Sequence, residues 1–157
     1  MHTEIERKFL VLNTNFIQES FKNYTIKQGF LSTNKKRTVR IRIISNKGFI
    51  TIKGISNQSG TTRFEWEKEI SVLEAKQLLK LCKKPIINKI RYFVKKEKHI
   101  FEIDIFKGKN KGLILAEIEL EHENQSFIKP KWLGKEVTGN IKYYNSVLSK
   151  NPFKKWK

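Results

Sequence analysis

The sequence contains a single cysteine, Cys82, in 157 residues, so no intramolecular disulfide can staple the fold, and a reducing compartment is expected. Cys82 sits among Leu78, Leu79 and Leu81 in a helical pattern, which reads as a buried structural thiol and not as a nucleophile. Histidine is almost as scarce. His2, His99 and His122 stand at none of the spacings of a zinc site and read as surface residues. No P-loop, G-x-G-x-x-G or G-x-S-x-G is present, which removes the common phosphate-cradling loops and the hydrolase nucleophile elbow. No run approaches the ~20 apolar residues of a membrane span, and carboxylates at Glu4 and Glu6 interrupt any apolar leader. A cytoplasmic protein without membrane association is expected. No repeat, linker or shift in composition divides the chain, so one domain over residues 1–157 is expected, with about 150–157 as a frayed tail.

Negative charge is also in short supply: 15 Asp+Glu stand against 33 Lys+Arg, a formal net charge of +18. That excess predicts attraction to polyanions, whether nucleic acid, phosphorylated small molecules or anionic surfaces. Much of it is lysine in a Lys-, Ile- and Asn-rich chain, for which genomic base composition is the competing explanation. The arginines are fewer and more informative: Arg7, Arg37, Arg40, Arg42, Arg63 and Arg91. With 38% hydrophobic residues and eleven Phe, the chain can bury a core.

Alternation marks the strands. In an extended segment successive side chains take opposite faces, so Glu4, Glu6 and Lys8 share one face of residues 2–11 while Ile5, Arg7 and Phe9 share the other. Residues 38–44 set Val39, Ile41 and Ile43 against Arg40 and Arg42. Further strands are expected over 24–32, 49–53, 63–70, 86–95, 99–106 and 113–121, with a turn at 46–48. Phe16, Ile17 and Phe21 suggest a short helix or loop. Ser71 and Glu74 make a capping box that opens a helix over about 72–83, ending before Pro85. A short helix is expected over 125–132 and a longer one over 140–149.

On the polar faces the strands contribute Glu4/Glu6/Lys8, Arg40/Arg42, Lys53, Arg63/Glu65/Glu67, Lys89/Arg91, Glu102/Asp104 and Glu117/Glu119/Glu121. For any one strand a solvated outer face explains this. Taken together, strands of nearly pure sign are unlike a solubility surface, which mixes signs. About eight short antiparallel strands fit a sheet closed on itself, and its polar face can then enclose a charged lumen. Arginine and lysine there suit phosphate oxygens, while the carboxylates would repel a polyanion unless divalent cations such as Mg²⁺ or Mn²⁺ intervened. The combination points to metal-dependent phosphoryl chemistry.

These motifs resemble the CYTH superfamily, the triphosphate tunnel metalloenzymes. Their N-terminal E-x-E-x-K stands here as Glu4-Ile5-Glu6-Arg7-Lys8. Val39-Arg-Ile-Arg-Ile43, Ile52-Lys53, Arg63-Phe-Glu-Trp-Glu67, Lys89-Ile-Arg-Tyr92, Phe101-Glu-Ile-Asp-Ile105 and Ala116-Glu-Ile-Glu-Leu120 follow in the family's order. The C-terminal Trp132 to Thr138 segment, with Tyr143 and Asn145, is similar to short bacterial members that resemble inorganic tripolyphosphatases, though Lys142 stands where those often have Arg. The resemblance implies a mainly β (α+β) fold, an eight-stranded antiparallel tunnel with helices outside. Its implied metal ligands are Glu4, Glu6, Glu117 and Glu119, completed by Glu65, Glu67, Glu102 and Asp104. It further implies phosphate contacts from Lys8, Arg40, Arg42, Lys53, Arg63, Lys89, Arg91 and Lys142, with Glu4, Glu6 and Lys8 nearest the chemistry. The implied activity is Mg²⁺- or Mn²⁺-dependent hydrolysis of tripolyphosphate by a monomer or homodimer. A class IV adenylate cyclase, an organic-triphosphate hydrolase and a non-catalytic polyphosphate- or RNA-binding module remain as alternatives.

Overall fold

Alternation of charged and branched apolar residues gives each strand two faces of different character, and the fold satisfies both by closing the sheet. The computed structural model describes residues 3–156, so His2 lies outside the described residues. The strands are β1 (Thr3–Val11), β2 (Lys22–Ser32), β3 (Arg37–Ile44), β4 (Lys47–Ser56), β5 (Thr62–Ile70), β6 (Ile87–Lys96), β7 (His99–Phe106), β8 (Ile114–Glu119) and β9 (Leu133–Glu136). Antiparallel pairing runs β5-β4-β3-β2-β6-β7-β8-β1, and β1 pairs again with β5, so the first eight strands close an antiparallel barrel.

The ninth strand was not expected. Leu133–Glu136 is too short and too polar to show alternation, yet it pairs with β1 through Phe9↔Glu136 and Val11↔Leu133. One edge of β1 is therefore shared: β5 takes Thr3–Ile5 and β9 takes the far end. Between them Glu6 donates its backbone N–H to Thr61 O, and Lys8 donates its own to Thr138 Oγ1. The loop before β5 and the segment after β9 meet at this gap.

Most outward-facing apolar residues are covered, though Phe64 and Trp66 of β5 stay exposed. Helix α2 (Val72–Leu81) opens with the expected capping box, Glu74 N–H donating to Ser71 Oγ and Ser71 N–H to Glu74 Oε1, both at 3.0 Å. It packs on β2–β4, where Ile41, Ala75 and Cys82 are buried with Leu31, Ile43, Leu78 and Leu79 around them. Cys82 is the structural thiol expected. A second cluster joins Phe9, Phe101, Ile103, Ala116 and Ile118 to Trp132 and to Phe16 of α1 (Phe16–Glu19). A third lies on the inward face, in register with Arg40, Lys89 and Asp104, where Phe30, Ile87, Phe106 and Leu115 pack against Val137, Tyr143 and Leu148 of the C-terminal segment.

Several expectations change. Residues 125–132 form no helix, because Phe127 and Trp132 are drawn onto the outside of the barrel as part of the core. The helix expected over 140–149 is a 3-10 turn, Ile141–Tyr143, and a short α3 (Asn145–Leu148), broken at Tyr144, whose ψ of 135° is extended. The frayed tail is packed as far as Trp156: that ring stands edge-on to Tyr143 and Phe153, and Phe153 N–H donates to Asn110 Oδ1 at 2.8 Å. His99 is buried beside Phe127, while His122 is exposed as expected. The β3–β4 turn is Ser45–Asn46, one residue early, with Ser45 at φ 53°. Among the described residues no helix is long and apolar enough to cross a membrane.

Candidate functional site

The faces turned inward enclose a cavity of about 220 Å³. Its walls hold seven cations, Lys8, Arg40, Arg42, Lys53, Arg63, Lys89 and Arg91, and seven carboxylates, Glu4, Glu6, Glu65, Glu67, Glu102, Glu117 and Glu119. All fourteen were expected from alternation or from the family resemblance. Strand position explains their grouping, since each pair two residues apart on one strand points the same way.

Two expected members lie elsewhere. Asp104, named as a metal ligand, is 1% exposed and does not line the cavity. It accepts Nε and Nη2 of Arg91 at 2.8 and 2.9 Å and stands 2.8 Å from Lys89 Nζ. It shares the inward face with Glu102, but the longer Lys89 and Arg91 side chains of neighbouring β6 occupy its carboxylate. Burial works to raise the Asp104 carboxyl, yet those two cations hold it far below the usual carboxylate range. Lys142 is exposed on the outside, its Nζ 4.5 Å from the Trp156 ring centroid and 5.4 Å from that of Tyr143.

Sequence reasoning gave no site role to the neutral lining: Thr38, Thr51, Thr138, Tyr144, Asn145 and Ser146, and the glycines Gly60 and Gly139. Thr38 and Thr51 share faces with Arg40 and Lys53, so their alternation was a usable signal. The others come from irregular segments that carry none.

Each cation is held differently. Lys53 Nζ donates to Glu4 Oε1 at 2.7 Å and lies 3.4 Å from Glu65 Oε2. Arg40 Nη2 donates to Thr51 Oγ1 at 3.1 Å, Thr51 donates to Glu67 Oε1 at 2.6 Å, and Glu67 is also 3.4 Å from Arg42 Nη2. Arg63 is turned aside to the Gly54 carbonyl, at 3.0 and 3.1 Å. Nε of Arg40 and of Arg42 is buried with no acceptor among the described residues. A buried guanidinium N–H left unpaired is costly, so these donors are arranged for an anion. Burial, with Arg40 and Arg91 nearby, brings Arg42 down to about 9. Burial likewise brings Lys89 down to about 8 against the pull of Asp104.

Four of the seven carboxylates stand in two touching pairs. Glu6 and Glu117 share a side-chain hydrogen bond, as do Glu4 and Glu65. Burial first, and then the Glu117 charge, push Glu6 well above the ordinary range. Burial opposes the ionisation of Glu117, but Lys8, the Glu6 hydrogen bond and Arg91 overcome it and bring that carboxyl to about 2. Two carboxyl groups in contact hold either a proton or a cation between them.

Among the described residues no three His, Cys, Asp or Glu side chains converge into a cage. Magnesium-like ions do not require one, since they characteristically take one or two carboxylates and complete their shell with water and substrate phosphate. Paired carboxylates facing a cavity lined by arginine donors therefore fit a divalent cation that arrives with a phosphorylated ligand.

The sequence matches the CYTH domain over residues 2–150. The chain belongs to the CYTH domain family. A relative from Acetivibrio thermocellus named "Inorganic triphosphatase" is 45% identical over 158 residues, spanning 100% of this chain and 99% of the relative. A second of the same name, from Nitrosomonas europaea, is 34% identical over 151 residues, 94% of this chain and 97% of that protein. Among solved structures, an inorganic triphosphatase superposes with a TM-score of 0.68 at 32% identity, covering 93% of this chain and 97% of its own. The CYTH barrel thus carries its charged lumen in a chain nearly coextensive with these relatives.

Proposed function

We propose that this CYTH protein is a divalent-metal-dependent hydrolase of inorganic tripolyphosphate, acting in the cytoplasm with Mg²⁺ or Mn²⁺ and yielding pyrophosphate and phosphate. The observation that carries the reading is the balance of the lumen, seven cations against seven carboxylates, with two buried arginine Nε donors unpaired. A site for a polyanion alone would not line itself with seven carboxylates, and a site for metal alone would not orient arginines inward. The cavity's 220 Å³ lies below the ~300–1,000 Å³ typical of drug-sized ligands, which favours a compact inorganic chain over a nucleotide with base and ribose.

In this reading Arg40, Arg42 and Arg91 take the phosphoryl oxygens, with Glu67 and Asp104 holding the guanidinium groups in place. Lys8 and Lys89 add point charges, Lys8 from directly opposite Glu117 and Lys89 over Asp104. Glu6 with Glu117, and Glu4 with Glu65, are the pairs suited to holding divalent cations, and Glu119 extends the first pair along β8. Bound cations would neutralise the phosphate chain and lower the pKa of an attacking water. Attack at a terminal phosphorus forms the new P–O bond as the bridging P–O bond breaks. The proton lost by water then offsets the charge of the two products.

The test is phosphate release from tripolyphosphate, ATP and pyrophosphate with Mg²⁺, Mn²⁺ or EDTA. Strong release from tripolyphosphate with metal, and little from ATP, is expected. Cyclic AMP formed from ATP would make the protein a cyclase. Metal-free binding without any turnover would make it a polyphosphate-binding module.

A further inference from the structure

Asn145 is the first residue of α3, one past the N-cap Tyr144, so its side chain is not the helix cap. Its side chain reaches the barrel wall instead. Oδ1 accepts from Gln28 Nε2 at 2.8 Å and from Lys89 Nζ at 3.1 Å. An ammonium can only donate, so the oxygen of the Asn145 amide must be the end that faces Lys89. That in turn obliges Gln28, a fully buried residue on β2, to offer its NH₂ end. Orientation of both amides thus follows from Lys89. With Oδ1 doubly engaged, Asn145 Nδ2 donates to nothing among the described residues, although Asn145 lines the cavity beside Lys89 and Arg91.

We propose that Asn145 is a substrate-binding residue, donating from Nδ2 to a phosphoryl oxygen next to Lys89, and that Gln28 is a positioning residue that holds it there. The inference rests on the triphosphatase reading. A neutral amide supplies a donor in a lumen whose cations are largely engaged by carboxylates, and it adds no charge that a metal ion would oppose.

The decisive variant is Asn145→Asp. It is nearly isosteric and keeps an oxygen for Gln28 and Lys89, but it turns a carboxylate oxygen toward the substrate. Tripolyphosphate hydrolysis and calorimetric binding would be measured for the wild type, Asn145→Asp, Asn145→Ala, Gln28→Met and the Gln28→Met/Asn145→Ala double variant. Losing a hydrogen bond to a charged group predicts a fall of about 10–100-fold in kcat/KM for Asn145→Ala, and a larger fall for Asn145→Asp with its melting temperature retained. Gln28→Met is expected to lose less, and to add nothing in the Asn145→Ala background. Asn145→Asp with wild-type kcat/KM and affinity overturns the contact. Additive losses in the double variant overturn the positioning role. A wild type that binds tripolyphosphate without hydrolysing it refutes the triphosphatase reading alone; weaker binding by Asn145→Asp then still upholds the contact, and unchanged binding removes it as well.

Discussion

Glu6 meets Glu117 diagonally across the β1–β8 ladder, one register step from the Lys8 that stands directly opposite Glu117. The two carboxyls share a hydrogen bond; burial and then the Glu117 charge push Glu6 well above the ordinary range, while Lys8, that bond and Arg91 overcome burial and bring Glu117 to about 2. A raised folded pKa means that the contribution of protonated Glu6 is complete below about 4.3 and vanishes as pH rises through the folded value. In EDTA, Glu6→Gln should therefore lose less melting temperature between pH 5 and pH 8 than the wild type. Added Mg²⁺ should stabilise the wild type at pH 8 and do little for the variant. Thermal unfolding at both pH values checks this. Equal Mg²⁺ stabilisation of the two proteins would remove Glu6 from the metal site.

Asp104→Asn leaves Lys89 buried without its ion-pair partner and Arg91 with only Glu102 at 3.4 Å and Glu117 at 3.9 Å. Breaking one side of a buried ion pair costs about 3–5 kcal/mol. At roughly 2–4 °C per kcal/mol for a chain of this size, the melting temperature should fall by about 6–20 °C. The lowered pKa of Asp104 places its stabilising contribution above about pH 3.9, to be lost as pH falls through the folded value. A variant of unchanged stability that no longer responds to metal would restore Asp104 as a ligand.

Asp104 also shows how far the sequence was legible. Alternation assigned faces correctly: Glu4, Glu6 and Lys8 point inward, whereas Arg7 pairs outside with Glu136 through Nε at 2.9 Å. It contains no information on depth, and depth decides whether the short Asp104 reaches the cavity past Lys89 and Arg91. Tyr144 was passed over, and Asn145, noted only as part of the C-terminal resemblance, was given no place in the lumen, for another reason. They enter the lumen because the backbone breaks between two short helical turns, a tertiary effect with no period, and β9 depends in the same way on an edge of β1 left open by β5. Lys142 followed family order onto a segment whose fold turns it outward, toward Trp156.

Arg42 is expected to separate stability from binding. It is buried beside Arg40 and Arg91, and its lowered pKa means that keeping it charged penalises the fold at every pH below about 9. Replacing a buried charge by an apolar side chain of similar volume is often neutral or stabilising. Arg42→Met should melt at or above the wild-type temperature without ligand, while tripolyphosphate KM rises about 10-fold or more, as for loss of a charge-assisted hydrogen bond. A lower melting temperature with unchanged KM would contradict a phosphate-binding role.

Lys142→Ala should leave kcat/KM within about 2-fold, because the side chain faces away from the lumen. Loss of the Trp156 contact should cost about 0.5–1 kcal/mol, seen in urea unfolding. A large rise in KM would place Lys142 at the substrate after all.

The gap beside β1 supplies the last test. Gly60, at φ 79°, approaches so closely that an added Cβ would lie 2.4 Å from Gly139 Cα and 3.4 Å from the Tyr144 hydroxyl. Gly139 cannot yield, since its own added Cβ would meet the Ser59 carbonyl at 2.8 Å. Gly108, at φ 60°, has nothing within 4 Å of an added Cβ, so Gly108→Ala isolates the backbone term, about 1–2 kcal/mol for a left-handed residue. Gly60→Ala carries that same term and also forces the 57–61 loop away from the segment holding Thr138, Tyr144 and Asn145. Both variants should lose melting temperature, Gly60→Ala the more, and only Gly60→Ala should raise tripolyphosphate KM. If the two behave alike in both measurements, the contact between these loops has no part in shaping the site.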